Sequence, residues 1–223
     1  MTDEIIMVLL IVLLLVSTAI SYQYLAHRVD GKCRARAFLQ PKYVFVPLIV
    51  MLIAFFASVF VFLTGFLRNG DPFMRAFMNA AVMLWLSLLG YIDAREKIIP
   101  NSLIGIGLLF WLILTLLEIF IGGTPWKQLL LFSVIGGVAC GGLLLVIALI
   151  VKSALGMGDV KMFFVLGLLY GLTDAYGILL FSVVTMGLVS IVLLLAKKIT
   201  MKATIPMAPF VVFGFFLSIL AGM

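Results

Sequence analysis

Long unbroken apolar stretches constrain this chain more than any other feature. Ile5 to Ala26, Val44 to Leu67 and Leu129 to Val151 each exceed the roughly 20 residues that a helix needs to cross a bilayer. Inside lipid a segment must satisfy its own backbone N–H and C=O groups, so stretches of this kind fold as helices. The composition agrees, with 65% of residues hydrophobic and 11% charged, against about half and a quarter in soluble domains. The first stretch reads as a retained span. Asp3 and Glu4 stand where a signal peptide has a basic start, and Tyr22, Gln23 and Tyr24 end it without a small-residue cleavage site.

Reading apolar blocks between charged punctuation gives eight spans, at 5–26, 44–67, 76–92, 101–121, 129–151, 160–172, 175–196 and 204–221. The sixth is short, and its separation from the seventh rests on Gly171, Thr173 and Asp174. Seven spans with one kinked or re-entrant element is the alternative count. Basic residues sort by side. Arg28, Lys32, Arg34, Arg36, Lys42, Arg95, Lys97, Lys152, Lys161, Lys197, Lys198 and Lys202 fall on one side, and only Arg68, Arg75 and Lys127 on the other. Positive charge accumulates on the cytoplasmic face, so both termini are expected outside, in a plasma (inner) membrane. The expected fold is all-α, a polytopic transmembrane bundle. Glycine recurs in its second half, at Gly136, Gly137, Gly141, Gly142, Gly156, Gly158, Gly167 and Gly171, where close helix packing is expected.

The net charge of +6 is accounted for by membrane orientation, and no nucleic-acid partner is expected. Cys33 and Cys140 lie far apart without C-x-x-C spacing, and His27 is the only histidine. Neither a metal site nor a cofactor is therefore expected.

Acidic residues are costly in lipid and so carry the information. Asp30, Asp93, Glu96 and Asp159 fall on the basic side. Asp93 closes the third span ahead of Pro100, which stands where the fourth begins. Asp159 opens the sixth span within Gly156-Met157-Gly158-Asp159-Val160-Lys161. Two neighbouring carboxylates cannot both ionise, so such a pair holds one proton. The ionised member can then deprotonate a water while the protonated one hydrogen-bonds a carbonyl, which is peptide hydrolysis without a metal. Gly156 and Gly158, lacking Cβ atoms, suit close approach of an extended substrate. The plainer reading stands beside this one. An Asp at a helix end is ordinarily solvated or paired with a cation, and Arg95, Lys97 and Lys161 are at hand.

Three runs taken together are more specific. Asp93 followed by Ile99-Pro100-Asn101, then Gly156 to Met162, then Ile205-Pro206-Met207-Ala208-Pro209-Phe210 resemble the type IV prepilin peptidases, which are GxGD membrane aspartic proteases. The resemblance covers about residues 80–220. It implies that Asp93 and Asp159 are catalytic, that Gly156 and Gly158 shape the substrate site, and that the substrate is the basic leader of a pilin-like precursor. Lys161 follows the family pattern without an assigned role. The prolines of the last run are expected to shape the entrance of the final span near the site. Long members of the family carry a cysteine-rich insertion associated with N-methylation. Here the corresponding loop, Ala26 to Tyr43, holds one cysteine, so cleavage without methylation is expected. The division that follows is an N-terminal part, 1–75, and a catalytic part, 76–223. Two other readings are a non-enzymatic transporter or assembly factor with structural aspartates, and a protease cutting within membrane helices. The Ile-Pro-Asn run and the Ile205–Phe210 run favour the prepilin reading over the last.

Overall fold

Long apolar segments of the chain form its helices. In the computed structural model, which describes residues 41–70, 72–122, 125–150, 155–198 and 205–222, all regular structure is helical. The elements are α1 (Pro41–Leu63), α2 (Phe73–Glu96), α3 (Asn101–Leu117), α4 (Trp126–Ile150), α5 (Met157–Leu195) and α6 (Ala208–Leu220). Short π-helical turns, Thr64–Asn69 and Glu118–Gly122, extend α1 and α3. The expected first span and nearly all of the basic loop that follows it lie outside the described residues.

Helix α4 shows the lipid-facing pattern. Ser133, Gly136, Gly137, Cys140, Gly141 and Leu144 recur at helical spacing and are buried. Leu131, Phe132, Ile135, Val138, Val146 and Leu149 face outward. A soluble helix would put polar residues there, and lipid accepts apolar ones. Among the described residues, five helices are long and apolar enough to cross a membrane, and Ala208–Leu220 is a shorter apolar helix. The chain is a multi-pass helical membrane protein.

The 39 residues of α5 would make a straight rod of about 58 Å. That is nearly twice the ~30 Å hydrocarbon core. The rod is broken at Gly171 (φ 71°, ψ −170°), where the sequence expects its sixth and seventh spans to part. Only glycine takes these angles without strain. Helix α6 bears on both sides of the break, with Gly214 against Ser182 and the Phe215 ring edge-on to Tyr170 at 5.7 Å.

The chain forms two compact units, one ending at Leu88 and the other over Leu89–Ala221. In the first, Phe62, Phe55 and Phe77 pack around Ala54, Ala76 and Ala80. In the second, α4 and α5 form the most extensive helix pairing, followed by α5 with α6, and α3 touches α5 far less. The α4–α5 crossing is backbone on backbone. A Cβ on Gly136 would overlap Gly167 O and come within 2.6 Å of Gly171 Cα, and a Cβ on Gly167 would meet Gly136 O.

Candidate active site

Three helix ends converge in the second unit. Asp93 sits in the last turn of α2, Asp159 in the first turn of α5, and the first turn of α6 meets Asp93. Their local stops and starts follow from sequence. Lys97 adopts a left-handed conformation (φ 54°), and its N–H donates to Asp93 O at 2.8 Å, which closes α2. Pro100 is the N-cap of α3, and its carbonyl accepts from Leu103 and Ile104 N–H. The expectation for Pro100 holds. Pro209 lies within the first two positions of α6, where its missing N–H is harmless.

Asp93 is buried, with 6% of its surface exposed. Its Oδ2 accepts from Ala208 N–H at 3.0 Å, and the Met207 N–H also bonds this carboxylate. These are orphan donors of a helix N-terminus, the natural partners of an anion. Asp159 is held differently. Its Oδ2 accepts from Gly156 N–H at 3.2 Å, three residues back, and its own N–H donates to Gly156 O at 3.0 Å. Its Oδ1 is enclosed and has no hydrogen-bond partner among the described residues. The two carboxyl groups lie within electrostatic range of each other. The structure therefore brings together the two aspartates that the sequence singles out. Of their rivals, Asp30 lies outside the described residues, and Glu96 follows Asp93 on the same helix end.

Two of the nearby cations have other partners. The Arg95 guanidinium lies 5.2 Å over the Tyr91 ring, and Lys161 Nζ donates to Asn101 Oδ1 at 2.9 Å. The hydrogen bonds described above to the two carboxylates come from backbone N–H groups.

Both glycines of the Gly-x-Gly-Asp run have a reason within the protein. A Cβ on Gly158 would come within 2.7 Å of Ile99 Cβ, so its missing side chain admits the Ile-Pro-Asn segment. A Cβ on Gly156 would lie 3.1 Å from Asp159 Oδ2, so it leaves room for that carboxylate. Met157 between them is exposed.

Sequence reasoning did not find three of these contacts: Ala208 N–H on Asp93, Ile99 on Gly158, and Asn101 on Lys161. A signal for the first was present. Pro206 and Pro209 mark a helix start, and a helix start near two acids presents free donors.

The profile of the type IV leader peptidase family matches residues 80–191, half of the chain. That stretch includes Asp93, the Ile-Pro-Asn run, Asp159 and Lys161. Comparison with curated proteins and with solved structures gives no match.

Proposed function

The chain belongs to the type IV leader peptidase family, and from that premise we propose that it is an aspartic endopeptidase with Asp93 and Asp159 as its catalytic pair. The observation that carries this reading is the placement of two carboxyl groups from separate helix ends within electrostatic range, one with an enclosed oxygen that has no hydrogen-bond partner among the described residues.

The hydrogen bonds differ in a way that suggests the division of labour. Backbone donors at the start of α6 hold the Asp93 carboxylate as an acceptor, and in this reading it takes a proton from the attacking water. Asp159 carries the shared proton on its free Oδ1 and donates a hydrogen bond to the scissile carbonyl. Water oxygen adds to the carbonyl carbon, the C–N bond breaks, and the leaving nitrogen receives a proton from the pair. No covalent intermediate and no metal enters this sequence. The exposed Gly156-Met157 edge offers a backbone-lined approach for an extended peptide, with Gly156 and Gly158 as substrate-binding positions.

The substrate is the basic leader of a pilin-like precursor, whose apolar helix shares the bilayer with the enzyme. The distribution of Lys and Arg supports cleavage on the cytoplasmic side of the plasma (inner) membrane, with both chain termini outside. The short Ala26–Tyr43 loop supports cleavage without N-methylation.

The test is co-expression with a pilin-like precursor and a gel-shift readout of leader removal, with mass spectrometry of the product. Wild type trims the leader and leaves an unmethylated N-terminus. Asp93→Asn and Asp159→Asn insert normally and lose cleavage by at least about 10³-fold, the scale set by loss of a catalytic acid or base. Cleavage by either variant at a wild-type rate removes that residue from the pair.

A further inference from the structure

The connection between α2 and α3 is short and fastened along its length. At its start, Lys97 N–H bonds Asp93 O. In its middle, Ile99 fills the space that Gly158 leaves open, one residue before Asp159. At its end, Asn101 Oδ1 accepts from Lys161 Nζ, two residues past Asp159. One end of the connection is thus bonded to the residue that carries the first carboxylate, and the rest is seated on the turn that carries the second.

We propose that the Lys97–Asn101 connection is the spacer that sets the separation of Asp93 and Asp159, with Asn101 and Lys161 as positioning residues that clamp it to α5. The inference rests on the reading of the two aspartates as a catalytic pair.

Four observations support a role for the clamp beyond general stability. The two carboxyl groups sit on the ends of separate helices, so their separation depends on what joins those ends. Helix α3 has little contact with α5, so packing supplies only a small part of the restraint. The Lys–Asn bond has a charged donor, the stronger class of hydrogen bond. Both residues are exposed, so changing them leaves the buried core intact. Lys161 alone could also act through its charge on the substrate or on the aspartates. Asn101 is neutral and separates the two explanations.

The experiment measures kcat and KM on a pilin-like precursor with the full chain in lipid nanodiscs. Wild type is compared with Asn101→Leu, Lys161→Met, the double variant and Asn101→Asp, with Asp93→Asn as the inactive control. Asn101→Leu is expected to lower kcat by about 10- to 100-fold, the scale of a misplacement near 1 Å, with KM within about twofold. The double variant should be no worse than the poorer single variant, because both lose one bond. Asn101→Asp keeps an acceptor and recovers kcat. Lys161→Met carries the same expectation should leucine at 101 unfold the chain. Wild-type kcat in Asn101→Leu, or single effects that multiply in the double variant, overturns the clamp. Failure of wild type to cut the precursor, or cutting by Asp93→Asn, overturns the peptidase reading beneath it.

Discussion

Around Ala54, Ala76 and Ala80 the first unit packs phenylalanine rings into a cluster with alanine methyl groups. Phe62 also stacks on Phe66 and meets Phe73 edge-on, both at 5.8 Å. Across the α4–α5 crossing the second unit does the opposite, and Gly136 and Gly167 let two backbones touch. Rings and methyls can turn to absorb a small change in volume. Backbone against backbone has no such freedom. In lipid neither pairing draws on a hydrophobic driving force between helices, so the quality of contact decides how firmly each is held. The candidate site occupies the unit built the unforgiving way, where Asp159 rides on the first half of α5 and that half is braced by the glycine crossing.

Three substitutions can break or sharpen this contrast, each read as denaturant unfolding in detergent. The largest effect belongs to Gly136→Ala. The added methyl overlaps Gly167 O, no side chain can move aside, and a loss of about 3 kcal/mol is expected, the upper end for overpacking. Ala76→Gly in the first unit leaves a methyl-sized gap and weakens helix propensity, for a loss of about 1–2 kcal/mol. Should it cost as much as Gly136→Ala, the two units do not differ in tolerance. Gly142→Ala is the smallest. Nothing lies within 4 Å of the new Cβ, so the helix gains up to ~1 kcal/mol in propensity. A clear loss at position 142 would mean that glycine matters in α4 for reasons other than close approach.

Local features of the fold were legible in the sequence because they are written in contiguous residues. Apolar runs gave the positions of α1 to α6. Pro100 marked the start of α3, and Gly171 marked the break in α5. The two aspartates were legible as candidates because acids are rare in apolar sequence and because their flanking runs resemble a known family. Their meeting was not legible, since it depends on how separate helices cross. The partners of the motifs were hidden for the same reason. Lys161 and Asn101 are 60 residues apart, and Asp93 and Ala208 are 115 apart. The seat of Ile99 against Gly158 was hidden in the same way, because it too joins segments far apart in sequence.

The bond from Ala208 N–H to Asp93 also has a consequence for biosynthesis. A ribosome that has just added Asp93 must add 115 more residues before the donor exists. At roughly 5–20 residues per second that interval is on the order of ten seconds. Throughout it the carboxylate is already on the nascent chain but lacks the backbone group that holds it in the finished protein. Docking of α6 therefore cannot precede synthesis of position 208, and a chain stalled after Asp159 but before Ala208 carries both aspartates in an unfinished setting.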